Sequence, residues 1–294
     1  MGCPIALRRA NSGDRERILE ISSRASPRRD YISTAIDDWL AGKSGESVVA
    51  LLNRRVVGFA HRMYLVPGYM WLEGIRVDPP YQRLGVAKAI TRFFLDEASR
   101  EKAHCVGLAT ETANLASLNL TLAHGFVEVA QFDWYGVQAD RFAWEEDRNA
   151  SDVVELPPEE CLSYVLDSDF LAAAAGHLPH GWIFYPLDRA TPRLLQGARD
   201  CIGIRRNGHL AGVLVGGPSQ GGEVYSVDFA DGDQEAVEIL LRHVRFFLRM
   251  SRTVELMCPC TSPGDLPLME ALVSLGIGPR HGCESSVVLL ELTL

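Results

Sequence analysis

Apolar positions along the chain follow two rhythms. Residues 47–52 (SVVALL) and 56–66 (VVGFAHRMYLV) are near-continuous apolar runs separated by Asn53 and Arg54, and they predict two strands of a hairpin. Residues 72–77 (LEGIRV) predict a further strand. Asp78, Pro79 and Pro80 stop it, because proline cannot donate to a ladder and restricts the residue before it. Val86, Ala89, Ile90, Phe93 and Phe94 then recur at i, i+3, i+4 and i+7, the spacing of a half-buried helix. Upstream, residues 5–10 predict a first strand, Asn11 to Asp14 a capped turn, and residues 15–23 and 31–40 two helices. Downstream, a strand over 104–110 leads through a helical stretch to Gly125, a helix C-cap, and closing strands are expected at 126–132 and 142–144.

The second half replays this order. The charged stretch 145–160, with its proline pair, reads as a boundary, which gives domains 1–147 and 148–294. A helix is expected over 159–176, and strands over 201–206 and 210–216 around Asn207 and Gly208, a strong hairpin signal. A strand at 224–229, a long helix at 233–250, a strand at 253–257, a helix at 266–275 and a strand at 286–292 complete it. The fold class is therefore mixed α/β, with a degenerate internal copy or, in the alternative, an unrelated α+β domain in the second half.

The two strand-to-helix junctions differ in charge. The first turn of a helix carries backbone N–H groups without partners and positive partial charge. In the first half this turn follows Gln82, Arg83, Leu84 and Gly85 and contains Val86, Ala87 and Lys88. Gly85 lets an anion approach the backbone, and Arg83 and Lys88 add full positive charge, so the stretch reads as a pyrophosphate cradle. The second half has Asp231, Asp233 and Glu235 at the matching place, which suit a helix dipole and repel an anion.

Val77 to Ala87 resembles the acyl-CoA loop of the GNAT superfamily of N-acetyltransferases, V-x-P-x-x-[QR]-x-x-G-x-[GA], and it has the strand-before, helix-after context that motif requires. A second GNAT signature is matched by Asn114 and Gly125, eleven apart, with Ser117, Leu120 and Phe126 in register. Thr121 departs from it, standing where many members carry a tyrosine facing the CoA sulfur. The likeness spans residues 3–145. It implies a GNAT fold with a splayed mixed sheet, followed by a GNAT-like lobe without a CoA loop. It also implies acetyl-CoA as cosubstrate with no metal, held by Ile75, Arg76, Val77, Gln82, Arg83, Leu84, Gly85, Val86, Ala87, Lys88, Asn114 and Ser117. Leu178 to Gly181, Asp228, and Leu256 to Pro259 resemble the histidine N-acetyltransferase type, which implies a small-molecule amine as acceptor. Acetylation of a protein N-terminus or lysine, and a non-catalytic acyl-CoA sensor, are the alternatives.

Such a transfer needs a neutral amine, a polarised thioester and a departing thiolate. The amide near Val77 is the expected donor to the thioester oxygen. Glu73, four residues earlier and on the same face as Ile75 and Val77 if the strand alternates regularly, is the candidate base, and Glu111 competes for that role. An α-amino group titrating near ~8 costs ~1.4 kcal/mol to neutralise at pH 7, whereas a lysine near ~10.4 costs ~4.6 kcal/mol. The leaving thiol, near ~8.5, needs no strong acid, so Thr121 is tolerable there, with Tyr81 and Tyr135 as possible substitutes.

Composition narrows the partners. The 294 residues are 47% hydrophobic and 23% charged, as in a soluble globular chain. A net charge of −9 argues against broad nucleic-acid binding. No apolar run reaches the length of a membrane span, and no stretch reads as a signal peptide. Seven scattered cysteines suggest reduced thiols and a cytoplasmic setting. Cys258, Cys260, His281 and Cys283 have zinc-ligand chemistry without the spacing, and His177 and His180 are expected in a loop beside Pro179. The second lobe is left as scaffold, substrate-site wall or the surface of a homodimer.

Overall fold

Apolar runs become sheet and the 3.6-residue periodicity becomes helix in the computed structural model, which describes residues 4–26, 31–140, 152–187, 199–219, 222–248, 251–260, 266–279 and 286–294. Its elements run β1 (Ala6–Arg9), α1 (Arg15–Ala25), α2 (Ile32–Leu40), β2 (Glu46–Leu52), β3 (Arg55–Val66), β4 (Tyr69–Val77), α3 (Val86–Arg100), β5 (Cys105–Glu111), α4 (Leu115–Leu122) and β6 (Val127–Gln138). There follow β7 (Val153–Glu155), α5 (Pro158–Leu166), α6 (Asp169–Ala173), β8 (His177–His180), β9 (Ile183–Pro186), β10 (Asp200–Arg206) and β11 (His209–Pro218). β12 (Val224–Gly232), α7 (Gln234–His243), β13 (Thr253–Pro259), α8 (Pro267–Ser274) and β14 (Val287–Thr293) close the chain.

The chain divides into two compact units. The first comprises Met1–Leu108, Leu115–Val127 and Leu290–Leu294, and the second Ala109–Asn114 and Glu128–Leu289. In the first, β1, β2, β3 and β4 pair antiparallel in that order, and β4 pairs parallel with β5, which makes the sheet mixed. The β4–β5 ladder joins Tyr69–Trp71 to Cys105–Gly107 and then stops, although β4 runs on to Val77. One face of the sheet is covered by Ile18 and Ile21 of α1 and Ile32, Ile36 and Trp39 of α2, packed with Val49 and Phe59. Val86, Ile90 and Phe94 of α3 are also buried. Each such side chain contributes ~1.5–3 kcal/mol of burial. The last residues of the chain serve this unit: the Leu294 amide donates to the His104 carbonyl at 3.0 Å, and Tyr69 donates to Glu291 at 2.6 Å.

The second unit repeats the plan. β10 and β11 form a hairpin over Asn207 and Gly208, both with positive φ, β11 pairs antiparallel with β12, and β12 runs parallel to β13. That last ladder stops after Val227 and Leu256. β6 pairs antiparallel with β13.

Four expectations are corrected. The single helix expected over 159–176 is two, because Ser168 leaves the helical path and caps α6, its hydroxyl accepting from the Leu171 amide at 3.2 Å. The long helix expected at 233–250 is α7 followed by a tighter 3-10 turn at Val244–Phe247. His177 and His180 are not loop residues but β8, paired with β9. The closing strand expected at 126–132 extends to Gln138, since β6 continues along β13; Phe142 to Trp144 fall outside the described residues, as do His281 and Cys283. Among the described residues Cys105, Cys161, Cys201, Cys258 and Cys260 are free thiols, and no helix is long and apolar enough to cross a membrane.

Candidate active site

The site grows from the end of β4. Across the β3–β4 ladder, Phe59 faces Arg76 and His61 faces Glu73, so Gly74 and Ile75 together oppose Ala60. This is a bulge, and Gly74 takes φ +65° there. A Cβ on Gly74 would lie 2.6 Å from Trp39 Cη2, so only glycine lets the indole settle over the bulge. The extra residue resets the alternation. Glu73 shares a face with Arg76 rather than with Val77, which corrects the expectation of a regular pleat.

Past the bulge, backbone direction matters more than side-chain face. The Asp78 amide donates to the Val57 carbonyl at 2.9 Å. Backbone groups of successive residues in an antiparallel ladder point to opposite edges, so those of Val77 turn away from β3, toward the side where pairing with β5 has ended. The Val77 carbonyl accepts from Gln82 Nε2 at 3.3 Å. Asp78 itself is fully buried and ion-paired to Arg17 and, at 3.0 Å, to Arg24, both on α1. Arg17 Nε also donates to the Val56 carbonyl at 3.0 Å, so the exit of β4 is tied to α1 and β3 at once.

The chain then makes a 3-10 turn at Pro79–Tyr81, passes Arg83 at φ +62° and Gly85 at φ +84°, and enters α3. No side chain caps α3, and a Cβ on Gly85 would meet nothing within 4 Å. The Ala89 amide donates to the Gly85 carbonyl at 2.9 Å, so the amides of Val86, Ala87 and Lys88 precede that bond and stand at an open, electropositive helix start. Gln82, Arg83, Leu84, Gly85 and Lys88 are exposed, Ala87 is half-buried, and Val86 is buried as the anchor. This donor set fits a pyrophosphate.

Glu73 is half-buried, and Oε2 accepts from the Tyr31 hydroxyl at 3.2 Å. Tyr31 meets Trp39 edge-on, with ring centroids 6.0 Å apart, and Trp39 stacks flat on His61 at 4.3 Å. Burial pushes the Glu73 carboxyl up to about 7, against the lowering effects of the Tyr31 hydrogen bond and the Arg76 charge. Burial pushes His61 down to about 4, so its imidazole is neutral; Nδ1 lies 2.9 Å from Ser47 Oγ.

Of the residues singled out from sequence, Glu73, Ile75, Arg76, Val77 and the loop 82–88 lie on one strand–loop–helix of the first unit. Ser117 lies on α4 of that unit, where its carbonyl accepts from the Thr121 hydroxyl at 2.7 Å; Thr121 is buried, its hydroxyl turned back into its own helix. Glu111 and Asn114 belong to the second unit: the Asn114 amide donates to the Glu111 carbonyl at 2.9 Å, and its Nδ2 to Thr110 Oγ1 at 3.3 Å. Tyr135 also belongs there and is buried, which pushes its phenol up to about 12. Tyr31 and His61 were not anticipated. No short motif marks either of them or Trp39.

The second unit closes the corresponding place. Asp228 precedes Gly232 by four residues as Glu73 precedes Val77, and Gly232 opposes Gly212 as Val77 opposes Gly58. Asp228 is fully buried, accepts from His180 Nδ1 at 2.8 Å and is ion-paired to Arg199. The start of α7 is capped by Asp233, which accepts from the Ala236 amide at 2.9 Å and pairs with Arg206.

Comparison with known proteins bears on the fold. Residues 15–126 match the family described as Acetyltransferase (GNAT) family. No curated protein sequence matches the chain. A GCN5-related N-acetyltransferase from Sphaerobacter thermophilus is 14% identical with a TM-score of 0.63, over 99% of this chain and 96% of that one. A tandem GNAT protein from the clavulanic acid biosynthesis pathway, solved without acetyl-CoA, is 13% identical with a TM-score of 0.61, over 99% and 98%. A glucosamine N-acetyltransferase region, GCN5-related, of a fungal multi-domain β-N-acetylglucosaminidase is 12% identical with a TM-score of 0.65, over 99% of this chain and 38% of that one. At these identities the structures speak for the fold, which is that of GNAT proteins. Residues 15–126 are thus similar to the GNAT acetyltransferase family, and the chain shares the fold of GNAT proteins.

Proposed function

We propose that the first unit transfers the acetyl group of acetyl-CoA to the amine of a small molecule, an amino acid such as histidine being the favoured class. The observation that carries this reading is the layout of β4 and its exit. A carboxylate near neutrality, a backbone amide turned to the unpaired edge and an open α3 start follow one another in a single segment.

Acetyl-CoA, the cosubstrate of the family, supplies the activated thioester. The amides of Val86, Ala87 and Lys88, with the Arg83 and Lys88 charges, hold its pyrophosphate. The Val77 amide donates to the thioester oxygen as negative charge develops there. Glu73 accepts the amine proton, directly or through a water. Its value of about 7 lies close to an α-amino group at ~8, so that proton moves at a cost of ~1.4 kcal/mol. From a lysine at ~10.4 the same step costs ~4.6 kcal/mol. The match favours a small α-amine over a protein lysine. Departure of the thiolate needs no strong acid, in keeping with a Thr121 hydroxyl already engaged by the Ser117 carbonyl. In the second unit, the neutralised Asp228 and the acid-capped α7 support a role without CoA.

Calorimetric titration with acetyl-CoA tests the cradle. The wild type is expected to bind one equivalent, and Gly85→Glu to lose at least tenfold in affinity with an unchanged circular dichroism spectrum, since the added carboxylate projects into the anion's space. Full affinity in Gly85→Glu would remove the loop assignment.

A further inference from the structure

We propose that Tyr31 is a positioning residue for the acetyl acceptor: its hydroxyl holds the Glu73 carboxylate, and its exposed ring flanks the path by which an amine reaches that carboxylate. This rests on the reading of Glu73 as base. Three observations carry it. The Tyr31 hydroxyl is 3.2 Å from Glu73 Oε2, while the residue is 43% exposed, unusual for a tyrosine that serves only as packing. The ring is kept in place by edge-on contact with Trp39, which is buried and stacked on His61. Trp39 can occupy that spot because Gly74 offers no Cβ. Bulge, indole and phenol thus form one device that orients Glu73.

An amine arriving as an ammonium would meet a carboxylate and an aromatic ring together, a pairing that attracts a compact cation. A half-buried carboxylate whose hydrogen bond among the described residues comes from this phenol relies on it to fix which oxygen faces the amine. Among the described residues, the titratable and charged groups facing Glu73 are Tyr31 from the start of α2, Arg76 from its own strand, and His61 opposite it on β3, neutral at working pH. Removing the hydroxyl takes away a contact that favours the ionised form, so Glu73 must hold its proton to higher pH.

The test is the pH profile of kcat/KM in wild type, Tyr31→Phe, Tyr31→Leu and Glu73→Gln, beside carboxyl titration of Glu73 by carbon NMR in the same proteins. Tyr31→Phe is expected to move the acidic limb and the Glu73 titration upward by roughly half to one pH unit, with acceptor KM within twofold. Tyr31→Leu is expected to add a five- to tenfold rise in acceptor KM, with acetyl-CoA affinity unchanged in both. A purely structural tyrosine would leave limb and titration where they were. An unmoved Glu73 titration in Tyr31→Phe overturns the assignment, whatever the turnover. An acidic limb that survives in Glu73→Gln ends the base reading itself, and the NMR titration keeps the two failures apart.

Discussion

Glu73 sits where its ionisation costs folding energy. Its carboxyl titrates near 4.5 in the unfolded chain and at about 7 in place, so between these values the unfolded state sheds its proton first. Stability from this group is therefore full below the unfolded value and lost as pH rises through the folded one. The expected size is on the order of 1–3 kcal/mol, discounted because the side chain is only half-buried. Glu73→Gln has no such proton to lose. Its melting temperature should match the wild type near pH 4.5 and exceed it above pH 7, read by calorimetry at fixed ionic strength. A constant difference across that range would mean that Glu73 is not held near neutrality. The position of Glu73 could be read from its place four residues before Val77, yet its setting could not. Tyr31 and Trp39 come from the start and body of α2 and His61 from β3, and neither periodicity nor motif spacing encodes their convergence. The same holds for Gly74: a glycine inside a strand hints at a bulge, but only the register with Phe59 and His61 shows which residues change face.

At the scale of elements, the exit of β4 and the start of α3 act as one piece, and Asp78 fastens it. The carboxylate is buried between Val77 and Pro79 and is answered by Arg17 and Arg24 on α1. Asp78→Ala would leave two guanidinium groups short of a partner and loosen the segment that carries the Val77 amide. A loss of roughly 2–4 kcal/mol in urea unfolding is expected, with weakened acetyl-CoA affinity in the fraction that remains folded. Wild-type stability and affinity in Asp78→Ala would show that the segment is held by other contacts. This piece was the most legible part of the chain, because proline, glycine and basic residues at fixed offsets state a backbone path directly. α5 and α6 were not legible as two helices, because Ala172 to Ala175 favour a continuous helix and a single serine is a weak stop signal. The extent of β6 was hidden too, since a strand's length is set by its partner and β13 lies more than a hundred residues downstream.

For the whole molecule, two copies of one plan differ in charge at the corresponding place. The first keeps an open helix start and a carboxylate near neutrality, and the second caps its helix with Asp233, pairs Asp228 with the Arg199 charge and hydrogen-bonds it to His180. The charge contrast between the junctions was visible in the sequence as basic residues against acidic ones. The His180 and Arg199 contacts to Asp228 were not, since they bring together a short hairpin and a strand that local patterning treats separately. Chain division also departs from simple succession: Leu290–Leu294 belong to the first unit, which no local signal announces. Acetyl transfer to a small amine is the activity we propose for the first unit. The most direct test is free-thiol release from acetyl-CoA across free amino acids, polyamines and short peptides. Saturable turnover with a free α-amine, histidine among the acceptors tried first, and its abolition in Gly85→Glu are the predicted result. Turnover confined to peptides, or acetyl-CoA binding with no thiol release from any amine, would contradict it.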